Sequence, residues 1–231
     1  MNNTPDRPES NVDRLTAQLR RMAADFEIKP EERIREGEMA ERLSVSRTPL
    51  REALNRLVSE GYLTNTGGRG FFCRALTPER ILDLYEARAA LECEALRHAV
   101  RRASDADISA LLAQLDRGDH GDQGAEGADR LDLLDMDEAF HLALTRLSGN
   151  AELERLLVNI NGRIRYVRMI GLKAGDGARA QVEAHGKIVR ALQSRDADSA
   201  QDALRSHIEM RKDDATQAVR DAFSEIYVRA G

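Results

Sequence analysis

Four residues in the C-terminal half have the types and spacing of a metal-ligand set. Asp137 and His141 lie four apart in the segment LDLLDMDEAFHLALTRL, so on a helix they share one face. His185 and His207 are 22 residues apart, which is about 33 Å along one straight helix, too far to share a ligand. Between them, Gln193-Ser194-Arg195-Asp196-Ala197-Asp198 carries turn and cap residues, and the midpoint of the two histidines falls on Asp196. An antiparallel helix pair folded there sets His185 and His207 level and side by side. Three imidazoles and one carboxylate can then converge on one divalent cation. Zinc is the first choice, and nickel, manganese and iron suit the same donors. His98 and His120 lack such partners and read as surface or connector residues.

A different chemistry sits nearer the N-terminus. Over residues 42–74, Arg42, Arg47, Arg51, Arg56, Arg69 and Arg74 face only Glu52 and Glu60. Arg47–Glu60 reads as a helix whose Leu50, Ala53, Leu54, Leu57 and Val58 form one apolar stripe. Arg47, Thr48, Arg51 and Asn55 then project from the opposite face. Arginine there can pair with phosphate or bind guanine O6 and N7 bidentately, threonine can meet phosphate or a thymine methyl, and a helix N-terminus attracts phosphate. Arg69, between Gly68 and Gly70, is placed to reach a minor groove or the backbone of a duplex.

These groups need scaffolds to position them. The chain has 231 residues, 42% apolar, 4% aromatic and 32% charged, enough for one large domain or two small ones. The net charge of −5 excludes a uniformly basic protein. Residues 1–75 hold 13 Lys and Arg against 12 Asp and Glu, so the acidic excess lies downstream. Cys73 and Cys93 are too few for a disulfide framework and form no C-x-x-C pair. A polar N-terminus and the absence of any long apolar run leave no signal peptide or membrane span, and predict a cytoplasmic protein.

Residues 1–11 read as a disordered N-terminus. A helix is predicted over 12–26 with Leu15, Leu19, Met22 and Ala23 on one face, a short helix over 38–43, the helix 47–60 stopped by Gly61, and a two-stranded hairpin of Tyr62–Thr64 with Phe71–Cys73. This is a winged helix-turn-helix plan occupying 12–75. From 76 onward the pattern is helical: Thr77 suits an N-cap and Pro78 a first helical position. Helices are expected over 78–102, 104–117, 129–148, 150–173, 178–194 and 197–229, with Gly118–Gly127 a flexible connector. The fold class is therefore mainly α, a winged domain followed by an antiparallel bundle of about six helices over 76–231.

The run IREGEMAERLSVSRTPLREALNRLVSEGYLTNTGGRGFFC, Ile34 to Cys73, resembles the DNA-binding domain of the GntR superfamily of bacterial transcription regulators. The resemblance implies that Ser46, Arg47, Thr48, Arg51 and Gly68 meet operator phosphates and bases. Gly37 stands where relatives commonly have an arginine, and Arg35 is the neighbouring candidate to supply that contact. The helical half, with Leu84-Tyr85-Glu86-Ala87-Arg88, the D-x-x-x-H pair and two late histidines 22 apart, resembles the FCD ligand-binding domain of the FadR-type branch. In that family the residues matching Asp137, His141, His185 and His207 hold a divalent metal, and a small carboxylate effector completes its coordination. Arg88 matches a pocket-facing arginine that can pair with the effector carboxylate. Arg163, Arg165 and Arg168 are further candidates.

The sequence thus predicts a homodimeric regulator that binds double-stranded operator DNA under control of a metal-bound carboxylate. An acyl-CoA-responsive protein is a variant of that reading. The rival is a metalloenzyme acting on a small acid with an appended winged domain. Against it, four protein ligands fill much of the shell, and Glu138 points about 100° away from Asp137 around the helix.

Overall fold

The computed structural model describes residues 10–25, 27–119, 130–171 and 176–229. It divides into two compact units, Met1–Leu76 and Thr77–Gly231. The N-terminal unit contains α1 (Asn11–Ala24), β1 (Arg33–Ile34), α2 (Glu36–Arg42), α3 (Arg47–Ser59), β2 (Leu63–Thr66) and β3 (Gly70–Cys73). The second unit contains α4 (Pro78–Arg102), α5 (Asp105–Asp119), α6 (Arg130–Arg146), α7 (Ala151–Gly171), α8 (Asp176–Gln193) and α9 (Ala197–Arg229).

In the first unit, α1 begins at Asn11, inside the segment expected to be disordered. Ser10 and Asp13 form a capping box there, with reciprocal bonds of 3.1 and 3.0 Å that satisfy two end N–H groups. The rest of that segment, residues 1–9, lies outside the described residues. Leu15, Leu19 and Met22 of α1 pack with Leu50, Ala53, Leu54 and Leu57 of α3, Tyr62, Leu63 and Phe71 in one core. Arg20 clasps α1 to α3 through two 2.8 Å bonds to Glu60, and Arg56 adds a 2.6 Å bond to Asp13. Gly61 ends α3 at φ +85°, a conformation that favours a residue without Cβ.

The expected two-stranded hairpin is a three-stranded antiparallel sheet of order β1-β3-β2. Arg33 pairs with Phe72 and Ile34 with Phe71. A strand of two residues has no room for an alternating pattern, so its sequence carries no strand signal. The short helix α2 also starts two residues before the predicted 38, at Glu36.

In the second unit, Thr77 caps α4 by accepting from the Arg80 N–H at 3.4 Å, and Pro78 occupies the first turn. The helix α5 runs on through Gly118 and Asp119, two residues assigned to the connector. The remainder of that connector, from His120 to Gly127, lies outside the described residues. The turn between α8 and α9 closes where the sequence marks it. Arg195 adopts φ +58°, Asp196 accepts the Ser199 N–H at 3.0 Å, and Arg195 donates to the Val100 and Ala103 carbonyls at 2.9 Å. The last two bonds tie the α8–α9 turn to the end of α4. The apolar interior is built from residues such as Leu96, Leu134, Leu157, Ile164, Ile188 and Leu204, all fully enclosed.

Candidate metal centre and nucleic-acid interface

Asp137 and His141 come from α6, His185 from α8 and His207 from α9, and one ligand atom from each lies within 4.8 Å of the others. The Nε2 atoms of His141 and His207 are 3.2 Å apart, and those of His185 and His207 3.3 Å. Asp137 Oδ1 lies 3.3 Å from His185 Nε2 and 3.6 Å from His207 Nε2, and Asp137 Oδ2 lies 3.7 Å from His141 Nε2. Donor atoms on a tetrahedron around one ion, with bonds of about 2.0–2.3 Å, stand roughly 3.3–3.7 Å apart. These separations therefore fit a single small divalent ion. Among the described residues Asp137 Oδ1 is buried without a hydrogen-bond partner, an open lone pair beside the imidazoles of His185 and His207.

The electrostatics suit such an ion. Burial pushes the pKa of His141, His185 and His207 down, that of His185 to about 4, so all three are neutral near pH 7. Metal ligation needs neutral imidazole. Burial alone would raise the Asp137 carboxyl, but the Arg168 guanidinium beside it holds it well below the usual range.

Glu92 of α4 accepts a 2.6 Å hydrogen bond from His141 Nδ1. An ionised carboxylate can only accept, so the proton sits on Nδ1 and the Nε2 lone pair points into the cluster. Burial opposes ionisation of Glu92, yet His141 and Arg88 outweigh it and hold its pKa at about 2. Arg88 donates its Nε–H to Glu92 at 2.6 Å with both side chains 1% exposed, and its Nη2 has no hydrogen-bond partner among the described residues. The role of Glu92 escapes a search for metal ligands. The Arg88-x-x-x-Glu92 spacing, which stacks opposite charges on one helical face, was the available signal.

Among the other arginines, Arg168 of α7 bonds Asp137 Oδ2 and, at 3.2 Å, Glu138. Arg165 faces Glu138 at 2.7 Å and Asp135 at 2.6 Å instead. Beside Asp137 and Arg168 lies a cavity of about 10 Å³, room for a single water, bounded also by Tyr85, Gly171 and Arg211. On the far side of His185, whose ring stacks on Phe140 at 3.8 Å, a cleft of about 130 Å³ is lined chiefly by Leu111, Leu115, Met136 and Val182. His98 lies outside the cluster, 3.0 Å from Glu94, and His120 falls outside the described residues.

In the first unit the stripe of Leu50, Ala53, Leu54 and Leu57 is buried, and Ser46, Arg47, Thr48, Arg51 and Asn55 are all exposed. The first turn of α3 holds no acidic residue, and Ser46 makes no side-chain cap bond. The Arg47 and Thr48 N–H groups are therefore the ones open to an anion, since Pro49 has none and the Leu50 N–H bonds the Ser46 carbonyl at 3.4 Å. Gly68 and Arg69 are exposed at the β2–β3 turn, which the Arg69 N–H closes onto the Thr66 carbonyl at 2.8 Å. Arg35 is exposed and paired with Glu38 at 3.0 Å, while Arg51 lies 3.5 Å from Glu36. The Arg47 guanidinium passes over Gly37, 3.6 Å from where a Cβ would stand.

Residues 11–73 match the family of bacterial regulatory proteins named gntR, and residues 83–210 match the FCD domain. The Nta operon transcriptional regulator of Aminobacter aminovorans is 41% identical over 212 residues, 90% of this chain and 96% of that protein. The transcriptional repressor GlaR of Escherichia coli is 26% identical over 78% of this chain and 84% of its own length. The solved structure of E. coli McbR/YncC covers 96% of this chain and 99% of its own, with TM-score 0.67 and 21% identity, and so shares the fold. A winged helix-turn-helix unit is thus followed by an all-helical unit, each matching its family model, and the chain belongs to the GntR family of transcription regulators that carry an FCD domain.

Proposed function

We propose that this regulator binds operator DNA through Ser46, Arg47, Thr48, Arg51, Asn55, Gly68 and Arg69, with Arg35 beside them, and that a small carboxylate effector at a metal site controls that binding. The observation that carries the second part is the convergence of His141, His185, His207 and Asp137, with ligand atoms all within 4.8 Å of one another and five of the contacts at 3.2–3.7 Å. A divalent ion held there supplies a Lewis-acid anchor for a carboxylate oxygen. The residues of the chain do the rest. Glu92 fixes the His141 tautomer, Asp137 contributes negative charge, and the orphaned Nη2 of Arg88 offers a donor to the effector. Zinc is the first ion to test, and the donor set accepts nickel, manganese and iron.

The protein is a transcription regulator and not an enzyme, as its relatives are. We read it as a cytoplasmic homodimer, since two winged units can engage two half-sites about one helical turn apart. An effector that favours one packing of the helices around the cluster would, through residues 75–79, change the spacing of those units and so the affinity for DNA. No described helix is long and apolar enough to cross a membrane. The test is metal analysis of the purified protein, followed by operator gel shifts against a panel of sugar acids, hydroxy acids and dicarboxylates with added zinc. A metal-loaded protein whose operator binding responds to none of these acids overturns the effector part.

A further inference from the structure

Strand β1 brings a cationic side chain to the wing. It is an edge of the three-stranded sheet and sets Arg33 opposite Phe72, which on its other side pairs with Thr64. The alternate residues Ile34, Phe71 and Cys73 are buried in the core of the unit. Arg33 and Phe72 therefore lie on the outer face of the sheet, where Arg33 is exposed. From the level of Phe72 the guanidinium leans along β3 towards the wing turn. Its Nε and Nη2 lie 3.9 and 4.0 Å from where a Cβ would stand on Gly70. Gly70 adopts φ +94° and directly follows Arg69. Two arginines distant in sequence are thus brought to the turn end of the hairpin.

The charge of Arg33 is uncommitted. Arg20, Arg35, Arg42, Arg51 and Arg56 of the same unit each face a carboxylate at 2.6–3.5 Å. The guanidinium of Arg33, like that of Arg69, makes no ion pair or hydrogen bond among the described residues. The adjacent Glu32 carboxylate instead accepts the Lys29 N–H at 2.9 Å. An unpaired guanidinium can take a phosphate without first giving up a carboxylate, and the charge-assisted bonds it makes there are strong.

Resting on the reading above that the wing turn meets duplex DNA, we infer that Arg33 is a further DNA-binding residue, its guanidinium holding the sugar-phosphate backbone beside the groove that the turn enters. The contact is to a phosphate oxygen and not to a base, because the side chain stands on the outer face of the sheet behind the turn. It adds affinity on any sequence and carries no sequence information.

The experiment is fluorescence anisotropy of the full-length protein on two labelled duplexes of unrelated mixed sequence. Between 50 and 200 mM salt, the slope of log affinity against log salt is about −0.9 for each phosphate neutralised. Arg33→Gln should make the slope shallower by about 0.9 per protomer bound, so that the parent's advantage shrinks about 3.5-fold per contact across that range. The loss should be the same on both duplexes, with the melting temperature of the protein unchanged. Arg33→Lys, which keeps the charge, should keep the parent slope. Arg155→Gln removes an exposed charge from α7 and should leave the slope alone. An unchanged slope in Arg33→Gln, as when the arginine only guards a sheet edge against pairing, overturns this inference and leaves the reading of α3 standing. An equal change in Arg155→Gln, which makes the effect one of net charge, overturns it too, as does a loss confined to one duplex. Unchanged slopes in both Arg33→Gln and Arg69→Gln overturn the wing reading with it.

Discussion

Glu92→Gln tests the assembly of the cluster most directly. The side chain is 1% exposed and receives two 2.6 Å bonds, from His141 Nδ1 and Arg88 Nε. Glutamine keeps the shape and removes the charge, so Arg88, also 1% exposed, is left as a buried cation without a counterion. Breaking a buried pair from one side costs about 3–5 kcal/mol. The introduced amide can still accept through its oxygen, but its NH₂ group then faces another donor. Urea unfolding of the metal-free protein measures the loss. Loss of the ionised partner of His141 also weakens orientation of its Nε2, with metal affinity expected to fall about 10–100-fold. The double variant Glu92→Gln with Arg88→Met removes both charges and should regain much of the stability while metal affinity stays low. Unfolding free energy within about 1 kcal/mol of the parent in the single variant, with unchanged zinc affinity, would refute the reasoning.

Other outcomes follow from the same geometry. Acid should destabilise the metal-free protein early: the His185 pKa falls from 6.5 to about 4 on folding, so the unfolded chain binds the extra proton. Stability is then full above about pH 6.5 and declines towards pH 4 by about 3 kcal/mol from this residue; a flat stability from pH 7 to 5 contradicts it. The depressed Glu92 carboxyl contributes above pH 4.5, and that contribution is lost only as pH falls towards 2. His185→Ala should abolish stoichiometric metal and the effector response while sparing operator binding, read by metal analysis and gel shift. Arg51→Ala should weaken operator binding by about 1–3 kcal/mol if it reads a base, measured by fluorescence anisotropy with labelled operator. Tyr85→Phe removes a buried hydroxyl that has no hydrogen-bond partner among the described residues and should leave the melting temperature equal or higher.

The helices of both units were legible because their apolar residues recur at helical spacing and their ends carry cap residues, as with Thr77-Pro78 at the start of α4. The α8–α9 turn was legible for the same reason, and with it the pairing of His185 and His207. The family motif in Ile34–Cys73 marked the exposed side of α3. These are local properties: periodicity, caps and turns act over a few residues, so the chain displays them without folding.

Tertiary structure decided the rest. Strand β1 exists because Phe71 and Phe72 of a distant segment offer it an edge to pair with. Glu92 meets His141 across 49 residues of sequence, and Arg168 meets Asp137 across 31. Nothing in the local pattern distinguishes Arg168, turned onto Asp137, from Arg165, turned to Glu138 and Asp135. Which buried charge neutralises which depends on the packing of α4, α6 and α7 around one point. The sequence by itself determined the donors and the helices that bear them. Only the fold decided their partners, because electrostatic compensation in a dry interior is set by distance in space and not by spacing along the chain.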